Sequence, residues 1–256
     1  PILFVHGGSQ AARAWAKQLN DRRLAADFHL IAFDLRGHGA SGKPWQAEAY
    51  SADTFAGDIK AVIEATTARK VVLVAWSYGT LVAMDYVREF GVSDIAGIIL
   101  TGALGALRPF KMPTEDPNAA EFARTRELQL SPSLVDNIRA SERMAKWLTA
   151  TPMSAEEQRL FEAISLMFPG YARRAMVQRR VDNQDLLERL RLPLLLSLGE
   201  EDNPMQLEDG AVMAATHPRI GLSVYEGAGH SVFFEQPQRF NAELRKFTQQ
   251  ARSMSD

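Results

Sequence analysis

Short apolar runs alternate with amphipathic segments along the first hundred residues and again after residue 192. The runs are almost entirely apolar, which is typical of strands that are covered on both faces in a parallel sheet. Strands that alternate with helices predict a doubly wound α/β fold. The predicted strands are Ile2–Val5, Leu30–Phe33, Val71–Ala75, Ile98–Leu100 with its neighbours, Leu194–Leu198 and Leu222–Tyr225.

Helices are predicted between and after these runs, over Asp53–Ala65, Tyr78–Phe90 and Pro237–Gln249. Gly91 stands where a glycine commonly ends a helix, and Pro237 suits the first helical turn. The pattern therefore predicts an open, mostly parallel sheet flanked by helices.

An all-helical insertion is predicted at residues 105–191, between two parts of one core at 1–104 and 192–256. Within it, Ser131 before Pro132 predicts one helix start, and Ser154 with Glu157 predicts a capping box at another. One helical face of the insertion carries Phe161, Ile164, Ser165 and Phe168.

Composition excludes several classes of function. A net charge of −2 argues against nucleic acid as a partner. The chain has no cysteine, which excludes disulfides, thiolate metal sites and a cysteine nucleophile. We find no cluster of metal ligands in the sequence and expect neither a metal nor a cofactor. No apolar run approaches the roughly 20 residues of a membrane span.

The first residue, Pro1, lies inside an apolar run and is not an initiating methionine. We therefore expect that a segment ahead of it is missing. A cytoplasmic location is predicted, and a signal peptide stays open.

Ser77 is the candidate nucleophile. It lies at the centre of Ala75–Gly79 (AWSYG), which follows an apolar strand and opens a helix, the setting of a nucleophile elbow. Gly79 is small enough for the sharp turn, while Ala75 stands where the motif G-x-S-x-G has glycine and adds one methyl group. The amide of Tyr78, at the helix N-terminus, would face a developing oxyanion. The alternative is a buried serine in an ordinary strand-to-helix turn.

Glycines also follow the first predicted strand, in His6-Gly7-Gly8. They allow the backbone to come close to a substrate carbonyl. The Gly8 amide is the candidate second oxyanion donor, and the Ser9 amide is the alternative because the register of the loop is open.

The chain resembles the α/β-hydrolase superfamily, in the branch with a helical cap that includes carboxylesterases, lactonases and haloperoxidase-like enzymes. The residues that carry the resemblance are His6-Gly7-Gly8, Trp15, Asp34–Ser41 (DLRGHGAS) and the elbow at Ser77. The resemblance implies that Asp34, Arg36 and His38 are structural. It also implies an antiparallel hairpin ahead of the first strand, which this chain lacks.

The fold implied by the resemblance needs its base on a loop after the last strand. His230 lies there, within Gly227–Ser231 (GAGHS). The acid would follow the penultimate strand, where Glu200, Glu201 and Asp202 compete, and the family pattern G-x-x-D selects Asp202. The chain order of nucleophile, acid and base is then the α/β-hydrolase order.

The expected activity is hydrolysis of small or medium apolar carboxylic esters, with lactones as a close variant and a small-molecule ester or lactone as the partner. Hydrolysis of a carbon–carbon bond in a β-diketone-like substrate is an alternative, as is a ligand receptor with slow turnover. The oligomeric state stays open. Beyond the triad and the oxyanion donors, the predicted pocket residues are Ser9, Trp76, Trp147 and Phe168, and Phe110 and Met112 belong to the apolar residues of the insertion.

Overall fold

A computed structural model describes residues 1–109, 119–179 and 181–254. In these ranges six strands form one sheet in the order β2-β1-β3-β4-β5-β6, and every neighbouring pair is parallel. The strands are β1 (Ile2–Val5), β2 (Leu30–Phe33), β3 (Val71–Trp76), β4 (Ile95–Thr101), β5 (Leu194–Gly199) and β6 (Ile220–Tyr225). The predicted α/β architecture is confirmed.

The sheet separates two apolar clusters, because successive side chains of a strand point to opposite faces. In β3, Leu73 belongs to one cluster, and Val72 and Val74 belong to the other. The central strands are therefore almost entirely apolar, with the buried Thr101 of β4 and Ser197 of β5 as exceptions. The edge strand β6 departs from the prediction that all strands are covered on both faces, since Val224 is 40% exposed.

Helices cover both faces of this sheet. The core helices are α1 (Ala16–Leu19), α2 (Arg22–Asp27), α3 (Ala52–Ala65), α4 (Tyr78–Phe90), α10 (Pro204–Thr216), α11 (Val232–Glu235) and α12 (Pro237–Ser253). Gly91 ends α4 with a φ of +71°, as the sequence predicts. In the described part of the chain no helix combines the length and apolar character that a membrane span requires.

Between β4 and β5 the described chain is helical. This segment contains α5 (Ala119–Leu130), α6 (Leu134–Trp147), α7 (Ala155–Leu166), α8 (Gly170–Val177) and α9 (Gln184–Leu187). The division into a core of 1–104 and 192–256 and a cap of 105–191 stays a prediction, and Phe110 and Met112 lie outside the described residues.

The capping box of α7 is confirmed, because the Ser154 side chain accepts from the Glu157 amide and the Glu157 carboxylate accepts from the Ser154 amide. This pairing satisfies backbone donors that a helix start leaves free. The predicted apolar face is buried at all its positions. Phe161, Ile164 and Ser165 lie on α7, and Phe168 follows two residues after its end.

The predicted start of α6 is wrong. The helix begins at Leu134 with Ser133 as its N-cap, whose side chain accepts from the Asp136 amide. The hydroxyl of Ser131 instead donates to the Asp136 carboxylate at 2.7 Å. Pro132 therefore precedes the cap and does not occupy the first helical turn.

All strands run in one direction, so their carboxyl ends share one edge of the sheet. There Val5 pairs with Ala75, Trp76 with Thr101, and Gly199 with Tyr225. Ligands of open α/β sheets bind outside this edge. The segments that follow the strands therefore define where to look for a site.

Candidate active site

Ser77 lies in the turn between β3 and α4 with φ 53° and ψ −121°. A non-glycine residue with positive φ is strained, and such strain persists only where the surroundings fix it. The Ser77 amide donates to the Thr101 oxygen at 2.9 Å, and its own oxygen accepts from the Thr80 amide at 3.0 Å. These bonds hold the serine at the carboxyl edge of the sheet, as the predicted elbow requires.

Two glycines allow this turn to approach β1 closely. A Cβ on Gly79 would lie 2.6 Å from the backbone oxygens of Val5 and His6. A Cβ on Gly7 would lie 3.0 Å from Cβ of Ser77. The methyl group of Ala75, which replaces a glycine of the motif, is fully buried in the core cluster.

His230 follows β6 and contacts Asp202, which follows β5. The distance from Nδ1 of His230 to Oδ2 of Asp202 is 2.9 Å. The ring of His230 packs against Gly102 at the end of β4, where a Cβ would lie 3.0 Å from Cε1. Of the three competing acids, the structure pairs only Asp202 with the histidine among the described residues, while Glu200 accepts from the Gly227 amide.

The loop that carries His230 has two further supports. The indole Nε1 of Trp76 donates to the backbone oxygen of His230 at 2.9 Å. The carboxylate of Glu235 accepts from the Gly229 amide at 2.8 Å and, with its other oxygen, from the Ala150 amide of the insertion at 2.8 Å. Sequence reasoning missed Glu235, whose position within a helix carried no signal of this role.

The pKa of His230 is set by opposing effects. Burial disfavours the imidazolium and lowers the pKa, but the charge of Asp202 and the hydrogen bond to it outweigh burial. The net result is a pKa raised above the ordinary 6.5. Asp202 therefore both orients the ring and stabilises the proton-bearing form.

The oxyanion loop follows β1. The amide of Ser9, which has a φ of 58°, donates to Nε2 of His38 at 3.1 Å. That amide is therefore already used inside the protein, which leaves Gly8 as the stronger of the two predicted donors. Gly8 lies beside the elbow, since a Cβ on it would be 3.4 Å from Cβ of Tyr78.

The segment Asp34–Ser41 supports this loop. The carboxylate of Asp34 accepts from the amides of Ala12 and Ala40, both at 2.8 Å. Arg36 donates twice to the Asp58 carboxylate at 2.6 Å. These side chains are satisfied by the scaffold, in line with the structural role that the resemblance implies.

His6 and His38 are fully buried near these turns. Burial lowers the pKa of His6 to about 4, and it lowers the pKa of His38 well below the ordinary value. Nε2 of His6 accepts from the Leu35 amide at 2.9 Å, so this nitrogen carries no proton. Both rings therefore act as neutral acceptors.

A cavity of about 600 Å³ lies between this edge of the sheet and the helical insertion. All the predicted site residues line it. They are Gly8, Ser9, Trp76, Ser77, Tyr78, Trp147, Phe168, Asp202 and His230. In the described part of the chain, no group of three or more His, Cys, Asp or Glu side chains is placed to hold a metal ion.

A buried ionic network joins the elbow to the insertion, and sequence reasoning missed it. Arg179, just after α8, donates to the hydroxyl of Tyr78 at 2.6 Å and to the Asp85 carboxylate at 2.5 Å. The side chains of Arg179 and Asp85 are 9% and 5% exposed. Burial raises the pKa of Asp85 to about 6, although Arg179 opposes this shift.

Comparison with known proteins agrees with this fold. The model of the Alpha/beta hydrolase family matches residues 2–243. A candidate aryl esterase from Burkholderia cenocepacia is 31% identical and superposes with a TM-score of 0.88 over 99% of this chain and 91% of that chain. The esterase RhEst1 from Rhodococcus sp. ECU1013 is 28% identical, with a TM-score of 0.81 over 97% of this chain and 90% of that one.

A curated relative carries another kind of name. The non-heme chloroperoxidase CPO-A1 of Kitasatospora aureofaciens is 26% identical over 257 aligned residues, which cover 96% of this chain and 91% of the relative. Proteins similar to this chain therefore carry both esterase and chloroperoxidase names.

Proposed function

This chain belongs to the α/β-hydrolase family, and on that basis we propose that it is a serine hydrolase that cleaves carboxylic esters through an acyl-enzyme on Ser77. One observation carries the proposal. A strained serine and a histidine that is hydrogen-bonded to a carboxylate line the same cavity, at the carboxyl edge of a parallel sheet.

In the first half of the reaction, Oγ of Ser77 attacks the ester carbonyl while Nε2 of His230 takes its proton. Asp202 holds the opposite ring nitrogen, Nδ1, and stabilises the imidazolium. The amides of Gly8 and Tyr78 hold the oxyanion, and each such donor is worth about 3 kcal/mol in the transition state.

In the second half, His230 gives its proton to the leaving alcohol and then takes one from a water molecule. The water oxygen attacks the acyl carbon, His230 gives the proton to Oγ of Ser77 as the bond from Oγ to the acyl carbon breaks, and the carboxylic acid is released. A lactone is a cyclic ester, so the same steps open its ring.

The lining of the cavity supports an apolar group on the substrate. Such a lining binds hydrocarbon and excludes bulk water from the acyl-enzyme. Its large apolar members are Leu81, Leu104, Phe122, Leu130, Met144, Trp147, Leu148, Phe168, Met176 and Val177.

The test is hydrolysis of p-nitrophenyl esters from acetate to palmitate by the wild type and by Ser77→Ala. We expect turnover that peaks at one chain length and disappears in the variant. Absence of ester turnover, with Ser77 still labelled by a fluorophosphonate, would overturn ester hydrolysis and favour carbon–carbon hydrolysis or a slow receptor. Comparing single-turnover with steady-state rates separates those two.

A further inference from the structure

Arg173 of α8 is a buried cation in the lining of the cavity. It is 3% exposed, and it lines the same space as Ser77 and His230. Its Nη1 and Nη2 donate to the backbone oxygens of Gln129 and Ser165, which are neutral acceptors. Its Nε has no hydrogen-bond partner among the residues that the structure describes. The guanidinium is thus withdrawn from water, and no carboxylate of those residues pairs with it.

The other arginines near the cavity have either water or a carboxylate around their charge, and Arg126, which also lines the cavity, is exposed to solvent. Arg179 pairs with Asp85, and Arg108 pairs with Asp209, whereas no carboxylate in the described ranges pairs with Arg173. Burial lowers the pKa of Arg173 to about 10, which still leaves it charged at neutral pH. A buried charge without a partner is costly, so the site favours an anion.

The acidic groups of the cavity lining do not supply that anion. Asp202 is engaged with His230, Asp209 is engaged with Arg108, and Glu201 is exposed to solvent. Among the described residues, the cavity lining therefore offers no free countercharge to Arg173, which points to a molecule in the cavity as its source.

A stack of rings gives the position of this cation relative to the reaction centre. The guanidinium carbon of Arg173 lies 5.5 Å from the ring centroid of Phe168, and Phe168 stacks on His38 at 3.8 Å. His38 accepts from the Ser9 amide, next to Gly8. The cation therefore lies in the insertion, on the side that faces the oxyanion loop.

We propose that Arg173 binds a carboxylate group of the substrate, so that the preferred substrates are esters with a second, ionised carboxyl group. This inference rests on the proposed function and deepens it. A guanidinium presents parallel N–H donors that match the two oxygens of a carboxylate, and the pairing is strong where water is excluded. The apolar lining would then hold the carbon chain between the two ends.

The test compares esters in matched pairs, in which one member carries a free carboxylate and the other carries its methyl ester. Mono-p-nitrophenyl glutarate places the charge on the acyl side, and 4-acetoxybenzoate places it on the alcohol side. Each rate is divided by that of hydroxide-catalysed hydrolysis. On at least one side we expect kcat/KM to favour the anion by about 30-fold.

Arg173→Gln should remove this preference, lowering kcat/KM for the anion at least tenfold more than for the neutral partner. Arg173→Lys keeps the positive charge but lacks the parallel N–H donors of the guanidinium, so it should retain part of the preference for the anion. The matched control is Arg174→Gln on the same helix, since Arg174 is exposed and also donates to a backbone oxygen, that of Leu130 at 2.8 Å. It removes an equal charge and should leave the preference intact.

Equal losses for charged and neutral esters in Arg173→Gln, or no preference in the wild type, would overturn the inference and give Arg173 a structural role only. If Arg173→Gln fails to fold, binding decides. Calorimetry of glutarate with Ser77→Ala should show binding that weakens at least tenfold in the double variant with Arg173→Lys, and equal affinities would contradict the inference.

Glutarate binding and ester turnover, measured together, separate the carboxylate site from the proposed ester hydrolase activity. Turnover of neutral esters without glutarate binding would leave the ester hydrolase standing and remove the carboxylate site. Glutarate binding that depends on Arg173, without turnover of any ester, would support the carboxylate site and remove the ester hydrolase.

Discussion

The indole of Trp76 donates to the backbone oxygen of His230 at 2.9 Å, so the residue before the candidate nucleophile supports the candidate base. The strand β3 thus positions both partners of the proposed proton transfer. Because the two residues act together, loss of either one should abolish most of the catalytic activity.

Ser77→Ala or His230→Ala should each lower kcat by about 10⁴- to 10⁶-fold, because neither residue is useful without the other. The double variant should lose little more than either single one. Steady-state kinetics on the best p-nitrophenyl ester provides the measurement. Losses that multiply would contradict a shared role.

The rate should depend on pH through His230, which acts as a base only in its neutral form. Because Asp202 raises the pKa of His230 above 6.5, the rise in kcat/KM with pH should have its midpoint above that value. In Asp202→Asn the midpoint for the residual activity should move to lower pH, because the negative charge that stabilises the imidazolium of His230 is gone. NMR titration of the imidazole in both proteins gives an independent reading. The same midpoint in the wild type and in Asp202→Asn would argue against the pairing of His230 with Asp202.

Gly102→Ala should displace the base. The added Cβ would lie 2.7 Å from the His230 oxygen, and a shift of about 1 Å at a catalytic group can cost about 100-fold in rate. Gly91→Ala is the matched control, because Gly91 also has positive φ but meets nothing within 4 Å. Both variants should lose about 1 to 3 kcal/mol of stability from backbone strain. If both retain full kcat, Gly102 does not limit the position of His230.

Acid should destabilise the fold through His6. Its folded pKa of about 4 lies below the ordinary 6.5, so the unfolded chain binds the proton first as pH falls. The contribution of neutral His6 to the free energy of unfolding is therefore fully present above pH 6.5. About 3 kcal/mol of it is lost as the pH falls from 6.5 to 4. Asp85, with its pKa raised to about 6, acts in the opposite sense over the same window.

The measurement for His6 is therefore a difference between two proteins. Urea unfolding of the wild type and His6→Gln at pH 7 and pH 4.5 should show a smaller acid loss in the variant, whose side-chain oxygen can still accept from the Leu35 amide. Parallel losses in the two proteins would show that other groups cause the acid sensitivity.

Arg179→Met should leave Asp85 buried without its partner and cost about 3 to 5 kcal/mol in unfolding free energy at pH 8. Arg88→Met is the control, because Arg88 pairs with Asp185 on the surface and exposed pairs contribute less than about 1 kcal/mol. Similar losses from both would show that the buried network does not bind the insertion to α4 more strongly than the surface pair does.

Much of the fold followed from the sequence because local pattern and tertiary environment agree there. The strand Ile2–Val5 has its predicted bounds, since it is buried on both faces and ends at glycines. The helix after Pro132 was misplaced because two serines, Ser131 and Ser133, can each serve as a cap. Only the three-dimensional arrangement of Asp136 decides between them.

Some residues of the candidate site could also be predicted from the sequence, and others could not. Ser77, Asp202 and His230 stand out because each follows a strand within a small, glycine-containing turn. Arg173 gave no such signal, since two consecutive arginines between Ala172 and Ala175 are typical of an ordinary helix surface. Its importance depends on which groups surround it after folding, and those come from other segments.

The insertion leaves the sheet after β4 and returns at β5, and these two strands are direct neighbours in the hydrogen-bonding order. Because the two strands are parallel, the segment leaves from the carboxyl end of β4 and returns to the amino end of β5, so its two ends lie at opposite edges of the sheet. Such a segment is replaceable, because another helical insertion with the same distance between its ends could be joined to the same two strands. Exchanging it would change which molecules are admitted, while the turns that carry Ser77 and His230 stay in place.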